Sequence, residues 1–150
     1  MRKILVTAFA ITMGLAGWTE GANAGPFSAT RPVIAILGSN IHVGIAEGHL
    51  DGSGTVSIHS LADPEVKCAG EFTSSNKLGG AGELKCTDGS TATFKFQRLT
   101  VFSGHGAGNF SRGPMSFTYG LSADEAERYL KLPSGKILKR NGEDLQLADL

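Results

Sequence analysis

The chain reads as a mainly β protein, a small antiparallel barrel or sandwich built from hairpin units, with one helix at about 122–131 and a terminal hairpin. Three observations carry this reading. Apolar residues recur at every second position through most of the chain, as in Val56 and Ile58 or Ala92, Phe94 and Phe96, the period of a strand with one buried face. Glycine-based turn signals punctuate these runs at Asp51-Gly52, Asp88-Gly89 and Asn141-Gly142, where Gly supplies the positive φ that tight turns need. Helical signals are confined to one segment after Leu121.

The first 24 residues read as a signal peptide. Arg2 and Lys3 are followed by an uncharged, mostly apolar run from Ile4 to Gly17, and Ala22-Asn23-Ala24 offers the small residues of a cleavage site, with cutting between Ala24 and Gly25,. The apolar run is shorter than the roughly 20 residues of a transmembrane helix. A single β-rich domain is expected over residues 25–150, with no membrane span after processing and a periplasmic or secreted location. The chain has 14 basic and 14 acidic residues, and losing Arg2, Lys3 and Glu20 leaves it close to neutral. Nothing in that balance favours nucleic acid.

Val33 to Leu37 is a short apolar run of β-branched character, a candidate buried strand,. Ile41, Val43 and Ile45 then alternate with His42 and Gly44, which places His42 opposite the isoleucines and, on the simplest reading, toward solvent. Further strands follow at Thr55–Ser60, around Cys68 to Phe72, at Leu84–Cys86 and from Thr91 onward. Phe94 and Phe96 point inward there, and Lys95 and Gln97 outward. Gly104 to Gly108 reads as a flexible loop, and Phe110, then Met115, Phe117 and Tyr119, as a last pair of short strands across Gly113-Pro114. The order G-x-G-x-apolar recurs at Gly52, Gly80 and Gly106, offsets of 28 and 26 residues, which suggests repeated hairpin units.

Ser122-Ala123-Asp124-Glu125 is a capping box, Ser122 and Glu125 satisfying backbone donors at the helix start. Ala123, Ala126, Tyr129 and Leu130 form its apolar stripe. Asp124 with Arg128, and Glu127 with Lys131, are spaced for i,i+4 pairing. Pro133-Ser134-Gly135 ends the helix, which is expected to cover an edge or an open end of the sheet. The final hairpin turns at Asn141-Gly142, a type I′ signal, with Leu138, Leu145 and Leu147 inward.

Cys68 and Cys86 are the two cysteines. In an exported chain they are expected to form a structural disulfide, worth about 3 kcal/mol for a loop of this length. No constellation for catalysis, cofactor binding or metal ligation stands out. His42, His49, His59 and His105 lack metal-ligand spacing, though strand pairing could gather the first three on one face. No G-x-S-x-G is present. The glycine run Gly104–Gly108 is followed by no helix that could hold a phosphate. The candidate ligand loop is therefore Gly104 to Arg112, with His105, Asn109 and Arg112 as its polar groups.

Cys68-Ala69-Gly70, the G-x-G-x-L-x-C-x-D-G order from Gly80 to Gly89, and Phe117-Thr118-Tyr119-Gly120-Leu121-Ser122 resemble a pattern found in small, exported, glycine-rich bacterial proteins of uncharacterised function. The resemblance implies a glycine-rich β domain with a disulfide and a trailing helix. It implies no activity, and no cofactor is expected. Two functions are compatible with these residues. One is a non-catalytic exported protein that binds an envelope component or a partner protein. The other is a small ligand-binding barrel or hydrolase using the Gly104–Arg112 loop.

Overall fold

The structure, a computed structural model, describes residues 28–75 and 78–150. The signal-peptide segment and the Ala24–Gly25 cleavage point lie outside the described residues. Eight strands form a closed antiparallel barrel: β1 (Ser28–Leu37), β2 (Asn40–His49), β3 (Ser53–Ser60), β4 (Lys67–Ser75), β5 (Gly79–Cys86), β6 (Thr91–Thr100), β7 (Ser103–Phe110) and β8 (Gly113–Tyr119). Each pairs with the next, and β8 returns to β1 from Val33↔Tyr119 to Leu37↔Met115. Closure leaves the barrel without an edge strand. The first residues of β1 pair with β2 alone, Ser28 with His49 and Arg31 with Ala46, so they stand beyond the end of β8.

Alternation sorts the walls. Cys68, Phe72, Leu84, Ala92, Phe94, Phe96, Met115 and Phe117 belong to the inner core cluster. Lys67, Glu71, Glu83, Lys85, Lys95 and Gln97 are exposed on the outer faces of β4 to β6. An apolar lumen inside a polar wall is the reverse of the pattern in barrels embedded in lipid. Among the described residues, no helix is long and apolar enough to cross a membrane.

One sector of the outer wall is different. Ile34 and Ile36 of β1 and Ile41 of β2 face outward and are buried beneath Ala123, Ala126 and Leu130, with Leu138, Leu145 and Leu147 packed at the margin. This explains the unbroken apolar run in β1, whose Val33, Ala35 and Leu37 face the lumen while Ile34 and Ile36 carry the C-terminal segment. Full burial of a side chain such as Ile36, 1% exposed, contributes about 1.5–3 kcal/mol. The trailing segment thus covers the side of the barrel, not an edge or an open end.

The helical segment is shorter than its periodicity suggests. α1 spans Ala123–Ala126 and passes into a 3-10 turn at Glu127–Tyr129. The capping box is formed, with Ser122 N–H donating to Glu125 Oε2 at 2.9 Å and Glu125 N–H donating to Ser122 Oγ at 3.3 Å. Leu130 is already extended, with φ −86° and ψ 137°. Two causes stop the helix: the Lys131 N–H donates to Ser116 Oγ of β8 at 2.8 Å, and Pro133 biases the preceding residue away from helix. Among the described residues the ion pairs are Arg112–Asp88 and Lys136–Asp149, so the expected i,i+4 pairs do not form.

The terminal hairpin joins β9 (Lys136–Asn141) to β10 (Asp144–Asp149). Its turn is Gly142-Glu143, with Asn141 paired to Asp144. Gly142 has φ 66°, and among the described residues no non-glycine residue, Glu143 included, has positive φ. Positive φ at the first central residue alone belongs to a type II′ turn, not the type I′ turn expected from Asn-Gly.

Candidate functional site

The inner faces of β5 and β7 are poor in side chains where those of their neighbours β6 and β8 are rich in rings. In β7, Gly104, Gly106 and Gly108 lie between Arg98, Phe96 and Phe94 of β6 and Tyr119, Phe117 and Met115 of β8. In β5, Gly80 and Gly82 are the Cα partners of Phe96 and Phe94. A Cβ on Gly82 would come within 2.5 Å of Phe94 Cζ, so the ring occupies the space that a side chain there would need. The three G-x-G-x-apolar segments are therefore the entry to β3, the body of β5 and the second half of β7. Their spacing is a two-strand step around the barrel, and it keeps them in one register, with Gly54 and Gly82 both partnering Phe72, and Gly82 and Gly108 both partnering Phe94.

Rings laid along glycine strands leave the middle of the barrel open. They pack edge to face, Phe72 on Phe96 at 5.6 Å, Phe96 on Tyr119 at 5.8 Å and Phe94 on Phe117 at 5.1 Å between centroids, a favoured aromatic geometry. The space they enclose is a cavity of about 390 Å³, reaching from Ala35, Ile58, Leu84 and Met115 at its floor to Ser28, Leu50, Val101 and Phe102 at its mouth. That volume is in the range of small-molecule sites. At the opposite end the disulfide Cys68–Cys86 joins β4 to β5, and Leu37, Ala92 and Met115 are buried there. Leu50, Val101 and Phe102 are 51–73% exposed on the hairpin connections at the open end, and they extend the apolar lining outward.

Polar groups concentrate at this mouth. Arg98 shares the inward register of Phe94 and Phe96. A register shift between Arg98 and Thr100 sets a bulge at Leu99, a device that re-aims neighbouring side chains. Its guanidinium donates to Ser74 Oγ at 2.9 Å and to the Val101 carbonyl at 3.2 Å, while Nε is buried without a partner. Arg31 lies over the ring of Phe102, 4.3 Å from its centroid. The two arginines thus hold adjacent residues of one turn. Burial raises the Tyr119 phenol above its ordinary pKa, with Arg98 opposing the shift, so the hydroxyl keeps its proton at neutral pH. Among the described residues no Asp or Glu lines the cavity.

The Gly104–Arg112 segment is not a loop. Its first seven residues belong to β7, because glycines on the inner face fit the aromatic strands on both sides. The polar groups expected to converge there do not. His105 stacks on Tyr129 outside the barrel, with centroids 4.4 Å apart and planes at 17°. Asn109 is exposed on β7. Arg112 lies in the turn to β8 and pairs with Asp88 at 3.2 Å. Hydrogen bonds from Ser90 first, and then Arg112, hold the Asp88 carboxyl below its usual pKa.

The histidines are also dispersed. His42 is buried, 4% exposed, and faces the inside, because the apolar face of β2 is turned outward beneath the C-terminal segment. Its Nδ1 is 3.3 Å from the Asn40 carbonyl, and burial lowers its pKa. His59 pairs with Val43 on the outward register, and His49 is exposed at the mouth. The mouth arginines were visible only indirectly: Arg98 continues the parity of Phe94 and Phe96, and a cation on an inward register is a signal. Arg31, in a proline-bounded lead-in, carried none.

No protein-family model matches the chain, and no curated protein or solved structure matches it.

Proposed function

We propose that this protein is a non-catalytic binding barrel for an apolar small molecule, which it holds in the lumen between β1–β8. The observation that carries the reading is the cavity of about 390 Å³, walled by Val33, Val56, Ile58, Phe72, Leu84, Phe94, Phe96 and Phe117 and kept hollow by inward glycines. Transfer of an apolar ligand into such a space gains from removing its surface from water. The few polar groups gather at the mouth, where they orient a ligand without making the lumen wet.

The reading unites the two functions compatible with the sequence. The bound Cys68–Cys86 pair suits an oxidising compartment, in keeping with export to the periplasm or beyond and with an envelope component as ligand. A hydrolase at Gly104–Arg112 has less support, since His105, Asn109 and Arg112 open onto no common cavity.

The test is titration of the purified protein with N-phenyl-1-naphthylamine, an uncharged dye that brightens in apolar surroundings. Saturable binding of one dye per chain is expected. Val56→Trp, which fills the lumen, should weaken it by about tenfold or more, the effect of losing about 1.4 kcal/mol. Absence of a bright saturable phase, or equal binding by folded Val56→Trp, would sink the proposal.

A further inference from the structure

We infer that the mouth of the lumen recognises a negative headgroup, so that the ligand class is a single-chain amphiphile with an anionic head and an alkyl tail. This rests on the lumen being an apolar ligand site, and it adds which end of the ligand lies where.

The first argument is charge without a counter-charge. Among the described residues, Arg98 and Arg31 both line the cavity and no carboxylate does, and neither arginine takes part in an ion pair. The partners of Arg98 are neutral oxygens, Ser74 Oγ and the Val101 carbonyl, and its buried Nε has none. Holding a cation partly out of water without an anion is costly, and a ligand anion removes that cost.

The second argument is geometry. The Val101–Phe102 turn is gripped on one side by Arg98 through its carbonyl and on the other by Arg31 over the Phe102 ring, which brings the two cations to one part of the rim. A guanidinium offers paired N–H donors that match carboxylate and phosphate oxygens. Tyr119, an Arg98 neighbour on the lining, adds a hydroxyl donor. Below this layer the wall is apolar down to Met115. From Tyr119 to Met115 along β8 is about 13 Å at about 3.3 Å per residue, room for an alkyl tail and none for a second charge.

The experiment is a calorimetric titration with three probes sharing one tail: dodecanoate, dodecyl phosphate and dodecan-1-ol. At least one anion is expected to bind about tenfold or more tightly than the alcohol, the difference a charge-assisted hydrogen bond supplies. Preference for the carboxylate points to a fatty acid and preference for the phosphate to a lipid-like head, and either outcome supports the inference. Arg98→Met should erase that advantage, so that on the variant itself the anions and the alcohol bind within about threefold of one another. Equal affinity of wild-type protein for anions and alcohol overturns the headgroup assignment while leaving the apolar site standing. Failure of all three probes, together with failure of the dye, removes the underlying site as well. The wild-type comparison decides the matter even where Arg98→Met does not fold.

Discussion

Gly106 and Phe117 are Cα partners across β7 and β8, and a Cβ on the glycine would lie 2.5 Å from Cζ of the ring. The ring can lie along the wall only because its neighbour has no side chain. The hollow of the barrel is thus made by pairs of residues, one absent and one large.

Gly106→Val should therefore destabilise the protein by about 1–3 kcal/mol, the usual cost of overpacking, and also weaken dye binding as the displaced ring enters the lumen. Ala107→Val, one residue along on the exposed face, is the control and should stay within about 0.5 kcal/mol of wild type. Urea unfolding of both variants checks the pair. Equal losses would mean that strand propensity, not the ring contact, sets the cost.

His42 makes stability depend on pH in a defined window. Burial lowers its pKa from 6.5, against opposing contributions from the Asn40 carbonyl and Asp88, and His59 adds to the lowering. The folded state thus binds this proton less readily than the unfolded state. Its contribution is complete above about pH 6.5 and is lost as pH falls below that toward the depressed folded value. The carboxyls of Asp51, Asp88, Glu125 and Asp149 are also lowered, by their hydrogen-bond partners, and their losses come at more acidic pH, around and below the ordinary carboxylate range. Melting temperatures between about pH 7.5 and about pH 5 should fall for wild type and fall less for His42→Gln. Parallel slopes would show that His42 is not the group responsible.

The disulfide links residues 18 apart at the closed end of the barrel, away from the mouth. Cys68→Ala/Cys86→Ala should lose about 3 kcal/mol, within the wide range that strain and residual structure impose. Dye affinity of the molecules that remain folded should be unchanged. Loss of dye binding at a denaturant concentration where the variant is still folded would show that the staple shapes the lumen and does not merely hold it closed.

Much of the architecture was legible in local patterns. The inward set Val56, Ile58, Cys68, Phe72, Leu84, Ala92, Phe94 and Phe96 follows from period two, since a strand allows a side chain only two directions. The capping box at Ser122–Glu125 and the pairing of the two cysteines are equally local or combinatorial. Where two faces were both apolar, or where the covering segment lay far along the chain, the pattern was silent. Alternation separates His42 from Ile41 but does not say which of the two faces water. The answer came from Ala126 and Leu130, more than 80 residues later, which cover the isoleucine side. The helix is shorter than its apolar stripe for a related reason: the stripe continues to Leu130, but the bond from Lys131 to Ser116 ends the helix, and no periodicity encodes that contact.

The glycines mark the same boundary at the site. Read along the chain, Gly104, Gly106 and Gly108 promise a loop, because three small residues in a row of alternate positions carry no apolar signal of their own. Only closure of the sheet sets them between Phe94 and Phe96 on one side and Phe117 and Tyr119 on the other, turning a run without side chains into the wall of a cavity. Local pattern marks most of the strands and separates the two faces of each, since these depend on neighbours within a few residues, and two cysteines leave one intramolecular pairing. Tertiary structure alone decided that the sheet is a barrel, that its lumen is hollow and that Arg31 and Arg98 meet at one turn, since each of these depends on pairing between strands that are distant in the chain.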